Sequence, residues 1–190
     1  MELVIASNNV NKIREIREII GGAFEKTYSL AELNIHCDPE ETADDFLGNA
    51  LIKARAIREY TDKAVIADDS GLMVDCLGGA PGVHSARYAG EPVSDEANNA
   101  LLLKNMEGRS PRTAKYVATM VLLYPDGSYK VGTGEVKGEI ITEARGKGGF
   151  GYDPYFYSYD LQKTFGEATP NEKNAVSHRA MALHDLLKQL

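Results

Sequence analysis

Five groups of residues carry side chains of the kinds that do chemistry. The first is Ser7-Asn8-Asn9-x-x-Lys12, placed where a short apolar run gives way to a helical pattern. A helix N-terminus offers free N–H groups and a partial positive charge, so Lys12 one turn in and the Asn9 amide would complete a grip on a phosphate. The same residues also make an ordinary Asn-rich turn whose side chain caps the helix. The second group is Asp68-Asp69, at the end of a fully apolar strand. Ionised carboxylates rarely sit there without a partner, because leaving water is costly. Neighbouring side chains on an extended chain point to opposite faces, so one of the two would face a cleft. A carboxylate there suits Mg²⁺, which takes hard oxygen ligands and keeps several waters; the alternative is a turn in which Asp caps the next element. The third group is the acidic run Asp38, Glu40, Glu41, Asp44 and Asp45. Most of such a run is solvated surface. Glu41 is a candidate second metal ligand, and Lys53 on the following helix is an exposed lysine unless a phosphate lies near.

The fourth group is the glycine-rich stretch 146–153. Lys147 is not followed by Ser or Thr, so this is not a P-loop. Phe150 and Tyr152 flank Gly151 and could stack on a base, with Asp153 accepting from its N–H groups; alternatively the glycines are a hinge and the aromatics belong to the core. The fifth group is Lys173, Ser177, His178 and Arg179. Lys173 and Ser177 share a helix face, whereas His178 and Arg179 point away from it on an ideal helix. Either the helix is irregular there or the four touch different parts of one ligand. Taken together, the five groups are the inventory for a nucleoside triphosphate with Mg²⁺.

The elements that must position these groups follow from hydrophobic periodicity. Residues 3–6 read as a buried strand, and Val10, Ile13, Ile16, Ile19 and Ile20 recur at helical spacing up to Gly21-Gly22. Thr42 to Asp45 fits a capping box, which predicts a helix over about 43–60 burying Phe46, Leu47, Ala50, Ala54 and Ile57. A strand at 64–67 follows, extended by 72–74, and then a Gly- and Pro-rich loop over 78–90. Ser94 caps a helix to Met106. Strands are expected at 113–124, 129–133 and 136–141, the first two forming a hairpin around Pro125-Asp126-Gly127-Ser128. Thr169-Pro170-Asn171-Glu172 is a capping box for one last helix to about 188, with Val176, Leu183, Leu186, Leu187 and Leu190 as its apolar side. The expectation is a single α/β domain over 1–190, with a mixed, bent central sheet, flanking helices and two lobes around a cleft.

Composition bounds the function. The chain has 190 residues, 43% apolar and 26% charged, which rules out wholesale disorder. Its net charge of −7 argues against attraction to a nucleic-acid polymer or an anionic membrane. No apolar run approaches the ~20 residues that span a bilayer. Cys37 and Cys76 form no C-x-x-C pair, so no thiolate zinc site or redox motif is expected. With no basic, apolar leader at the N-terminus, the expected location is cytoplasmic.

Several of these motifs, in this order, resemble the noncanonical purine nucleoside triphosphate pyrophosphatases, also called inosine or xanthosine triphosphate pyrophosphatases. The resemblance covers Ile5-Ala6-Ser7-Asn8-Asn9-x-x-Lys12, Glu40-Glu41-Thr42, Asn49-Ala50-x-x-Lys53-Ala54 and the segment 66–72. It continues through the segment 79–88, Gly148 to Pro154, and Ser177-His178-Arg179. It implies hydrolysis of inosine, deoxyinosine and xanthosine triphosphates to monophosphate and pyrophosphate, with Mg²⁺, in a homodimer. It also implies roles for individual residues. Asp69 resembles the catalytic carboxylate and a metal ligand, with Glu41 as the second. Ser7, Asn8, Asn9, Lys12 and Lys53 resemble the triphosphate grip. Ser70, Phe150, Gly151, Tyr152, Asp153, Lys173, His178 and Arg179 resemble the nucleoside contacts. Arg179 or His178 donating to a 6-oxo group would reject adenine, whose 6-amino group is itself a donor. Two positions depart from the pattern: Asn8, where Gly is common and a side chain could narrow the phosphate turn, and His84, where an aromatic is usual. The competing expectations are a pyrimidine triphosphate pyrophosphatase of the Maf-like type and a non-catalytic nucleotide sensor.

Overall fold

The computed structural model describes residues 1–190. Seven strands form one mixed sheet: β1 (Glu2–Ile5), β2 (Lys26–Ser29), β3 (Ala64–Val74), β4 (Thr113–Leu123), β5 (Tyr129–Ile140), β6 (Phe156–Ser158) and β7 (Lys163–Thr164). Their order is β2-β1-β3-β4-β5-β6-β7. β1 runs parallel to both β2 and β3, whereas β6 runs antiparallel to β5 and β7. Five helices accompany them: α1 (Val10–Ile20), α2 (Phe46–Arg58), α3 (Asp95–Met106), α4 (Pro170–Val176) and α5 (His178–Leu187).

The chain divides into two compact units, one of Met1–Asp69, Ala118–Gly134 and Arg179–Leu190, the other of Ser70–Val117 and Glu135–His178. The first unit has two apolar cores, and the alternation of β3 explains why. Ala64 and Ile66 face one core with Leu3, Ile5, Ile16, Ile20 and Leu183, so α1 and α5 lie on that side. Val65 and Ala67 face the other with Val4, Ala50, Ala54 and Ile57, which is the α2 side. The second unit has one core, in which Leu72 and Val74 meet Leu102, Met106, Tyr116, Phe156 and Phe165.

Most expected elements form, with instructive differences. α2 starts later than the expected 43–60: its cap is Asp45, whose side chain accepts from the Gly48 N–H at 2.6 Å, not Thr42. With that start Asn49 takes a buried place, Phe46 is only half-buried and Leu47 is 37% exposed. The strand at 64–67 does extend through 72–74 as one strand, so Asp68-Asp69, expected at its end, lies within β3 and forms no turn. Likewise 129–133 and 136–141 join as β5. The single last helix is two. Thr169 makes the expected capping box with Glu172, but Ser177 is extended at φ −65°, ψ 155° and separates α4 from α5. Leu190 lies beyond α5 and is exposed. β2, β6 and β7 are two to four residues long, too short to show a periodic pattern.

Candidate active site

In the first unit the alternation of β3 sends its two terminal carboxylates in opposite directions. Asp68 continues the Ala64, Ile66 face, towards α1 and α5. There it meets Lys12 Nζ at 3.2 Å and the Arg179 guanidinium at 3.2 Å. Arg179 is 1% exposed and also pairs with Glu15. Burial opposes ionisation of Asp68, but Lys12 and Arg179 outweigh it and hold the carboxyl far below the usual carboxylate range. Burial pulls the Lys12 ammonium down, with Asp68 opposing and Arg179 and Lys53 adding to it.

Asp69 continues the Val65, Ala67 face, towards α2. Its Oδ1 accepts from Lys53 Nζ at 3.1 Å, and the same ammonium lies 3.4 Å from Glu41. Asp69 Oδ2 is buried and has no hydrogen-bond partner. Burial pushes the Asp69 carboxyl up to about 6; Lys53 opposes the shift and Glu41 adds to it. For Lys53, burial disfavours the charge, but Asp69, Asp68 and Glu41 prevail and its pKa is raised. The adjacent aspartates therefore differ by environment, one locked in ion pairs and one with an open oxygen and a raised proton affinity. That is the pattern of a carboxylate suited to proton transfer.

Asn49 braces this arrangement from α2. Its side chain accepts from the Ala43 N–H at 2.9 Å and donates to the Ala43 carbonyl at 3.2 Å, tying down the loop that carries Glu41. Asp69 and Glu41 together give a divalent ion two hard carboxylate donors, one with a buried unpartnered oxygen. No group of three or more His, Cys, Asp or Glu side chains is gathered to hold a metal ion.

The turn before α1 caps its own helix. Asn9 Oδ1 accepts from the N–H groups of Asn11 (2.9 Å) and Lys12 (3.3 Å), and Ser7 Oγ accepts from the Asn9 N–H at 3.1 Å. The Asn9 carboxamide oxygen is therefore engaged with the helix, and Asn8 and Asn9 are exposed. Asn8 is not in the left-handed region, so this turn does not demand glycine there. A cavity of about 470 Å³ beside Ser7 and Asn8 is lined on α1 by Val10, Ile13, Arg14 and Arg17. It touches neither Lys12 nor Asp69.

In the second unit Asp153 is the hub. Its Oδ2 accepts from Lys173 Nζ at 2.8 Å and from the Phe150 N–H at 3.0 Å, and its Oδ1 accepts from the Tyr116 hydroxyl at 3.1 Å. Lys173 Nζ also sits 4.6 Å above the Phe150 ring, a cation–π contact. Gly149 is required here: its φ is +70°, and a Cβ on it would lie 2.1 Å from Asp153 Oδ2. Gly151 is held from α3, its N–H donating to Asp95 at 2.8 Å and its carbonyl accepting from Asn99 at 2.9 Å. His178 stacks on Tyr116 with centroids 4.7 Å apart. Ser70 is half-buried on β3.

The predicted residues thus fall into two sets. Ser7, Asn8, Asn9, Lys12, Glu41, Lys53, Asp69 and Arg179 lie in the first unit; Ser70, Phe150 to Asp153, Lys173 and His178 lie in the second. Two sequence expectations take a different form. Arg179, expected to donate to a base, spends its guanidinium on Asp68 and Glu15. Tyr152, expected as part of a stacking surface, is 4% exposed and packs in the core with its hydroxyl donating to the Ser85 carbonyl at 2.6 Å. Glu15, Asp95, Asn99 and Tyr116 escaped the sequence reading, and Asn49 entered it only within the matched Asn49-Ala50-x-x-Lys53-Ala54 motif, with no role assigned. Only Glu15 left a signal, since it lies three residues after Lys12 and so on the same helix face.

The Ham1 family pattern matches residues 3–189. The dITP/XTP pyrophosphatase of Bacillus subtilis is 44% identical, covering 100% of this chain and 96% of the relative. That of Lactobacillus johnsonii is 46% identical, covering 99% and 94%. Among solved structures, the Ham1 protein of Staphylococcus aureus superposes with a TM-score of 0.88 at 42% identity, covering 100% of this chain and 97% of the other. The Coxiella burnetii HAM1 protein gives 0.89 at 39%, covering 100% and 98%. Matched over nearly its whole length in both sequence and fold, the chain belongs to the Ham1 family.

Proposed function

We propose that this chain, as one catalytic domain, hydrolyses deoxyinosine, inosine and xanthosine triphosphates to the monophosphate and pyrophosphate. The names of its full-length relatives support that activity. The observation that carries the mechanism is Asp69, a carboxylate with one buried unpartnered oxygen and a proton affinity raised to about 6. Its proximity to Lys53 and Glu41 supports binding of a divalent ion, Mg²⁺ by ligand type, held by Glu41 and Asp69. Such an ion supplies charge neutralisation on the phosphates. Asp69 orients a water and takes its proton as the water oxygen bonds to the α-phosphorus. The bridging P–O bond breaks, and its electron pair leaves with pyrophosphate. Lys12, Lys53 and the turn Ser7 to Asn9 hold the phosphates, and Asp68, fixed by Arg179, holds Lys12 in place.

On the nucleoside side, Phe150 offers a ring face. Lys173 and His178 offer donors that suit a 6-oxo purine and oppose the 6-amino group of adenine. Asp153 positions Lys173 and Phe150, and Gly151 and Tyr152 shape the loop between them. A homodimer and a cytoplasmic location complete the proposal. No helix is long and apolar enough to cross a membrane.

The test is pyrophosphate release with Mg²⁺ from a panel of triphosphates. Release from deoxyinosine, inosine and xanthosine triphosphates, with little from the adenosine, guanosine, thymidine and uridine compounds, is the expected result. Release mainly from thymidine or uridine triphosphate would keep the hydrolytic centre and overturn the base assignment. Binding without release from any of them would make the protein a sensor.

A further inference from the structure

Tyr116 is a buried tyrosine on β4, 7% exposed, whose hydroxyl and ring engage two different residues of the nucleoside set. The hydroxyl donates to Asp153 Oδ1 at 3.1 Å. The ring stacks on His178, with centroids 4.7 Å apart and planes 10° from parallel. Below, Tyr116 is wedged against Phe156 at 4.7 Å and lies parallel to Phe165 at 5.9 Å. The hydroxyl is not needed to fill the core, since a phenylalanine would fill nearly the same volume and keep the ring contacts. Buried beside a carboxylate, the hydroxyl satisfies one of its oxygens. Burial and the Asp153 charge push its pKa well above the usual tyrosine value, so it stays protonated and can only donate to that acid.

A carboxylate has two oxygens and can rotate. Fixing Oδ1 with the Tyr116 hydroxyl leaves Oδ2 aimed at Lys173 Nζ and the Phe150 N–H, and it is this rotamer that sets the ammonium over the Phe150 ring. The same tyrosine holds the plane of the His178 imidazole by stacking. We propose that Tyr116 is a specificity-determining positioning residue: it sets Lys173 and Phe150 through Asp153, and His178 through its ring, for recognition of a 6-oxo purine. The inference rests on the nucleoside site proposed above and deepens it.

The test is Tyr116→Phe, which removes one oxygen and keeps the ring, alongside Tyr116→Leu, which removes both contacts, and Asp153→Ala. KM and kcat are measured for deoxyinosine and deoxyadenosine triphosphates, with competitive inhibition by inorganic tripolyphosphate, which has no base. Losing a hydrogen bond to a charged group predicts that Tyr116→Phe raises the KM for deoxyinosine triphosphate about tenfold. The preference over the adenine compound should fall, kcat should stay within about twofold, and tripolyphosphate inhibition should hold. Tyr116→Leu should lower the preference further and shift the His178 ring-proton resonances downfield as the ring current is lost, a shift that Tyr116→Phe does not produce. That resonance reports the stacking even if a variant has too little activity to assay. Wild-type KM and preference in Tyr116→Phe, while Asp153→Ala alters both, would overturn the positioning role and leave the site standing. No change in any of the three variants would overturn the nucleoside site itself, and the inference with it. An equal loss for both nucleotides, together with a lower melting temperature, would make Tyr116 merely structural.

Discussion

Asp69→Asn should abolish turnover and make the protein more stable. Asp69 ionises at about 6 in the folded chain against an ordinary value of 3.8, because burial disfavours its charge and Lys53 only partly compensates. The folded state therefore holds this proton more tightly than the unfolded state does. Ionising Asp69 costs fold stability, the loss developing as pH rises from about 3.8 to 6 and complete above that. A shift of about two units corresponds to about 3 kcal/mol. Asparagine imitates the protonated acid in shape and charge, and Lys53 keeps Glu41 as a partner. In EDTA at about pH 8 the variant should therefore be up to about 3 kcal/mol more stable, a rise in melting temperature of roughly 6–12 °C for a chain of this size. At about pH 4.5 the advantage should shrink to about 1 kcal/mol, because wild-type Asp69 is by then mostly protonated in the folded state. Scanning calorimetry of both proteins at the two pH values reads this directly. A variant no more stable than wild type at pH 8, or an advantage that does not change with pH, would refute the reasoning. It would mean that the Lys53 contact, not burial, governs Asp69. A stabilising loss of function is the expected mark of a residue kept for catalysis at the expense of the fold.

Two further outcomes concern the ion pairs around Asp68. Lys12→Ala should lower kcat/KM by roughly 10–100-fold, the worth of a charge-assisted contact to phosphate, and an unchanged kcat/KM in a steady-state assay would make Lys12 a structural partner of Asp68 only. Arg179→Leu takes the guanidinium away from two buried carboxylates, Glu15 and Asp68, of which Asp68 keeps Lys12 at 3.2 Å, and should cost about 3–5 kcal/mol by urea denaturation at neutral pH; a loss below about 1 kcal/mol would show that the pair is solvated in solution.

The sequence alone determined what is local. The unbroken apolar run of residues 64–67 marks a strand buried on both faces, and the period of two along a strand already separates Asp68 from Asp69. The Ile spacing after Asn9 marks α1, and Thr169-Pro170 with Glu172 marks the start of α4. Each of these signals spans a few residues, because capping, periodicity and alternation are short-range rules. Tertiary structure alone decided which charges meet. Arg179 and Glu15 are 164 residues apart and Arg179 and Asp68 are 111 apart, and no local pattern couples them. The break at Ser177 also lies beyond local rules, since Pro170 to Leu187 reads as one helical pattern. Tyr116, which the sequence placed in a strand without a role, becomes a partner of Asp153 and His178 only when β4 meets the glycine-rich loop and the start of α5. Propensity fixes the conformation of a segment, but burial fixes which polar groups must find one another. A carboxylate taken out of water must be paired or change its proton affinity, and which of these happens at Asp68 and at Asp69 is settled by residues the chain brings from far away.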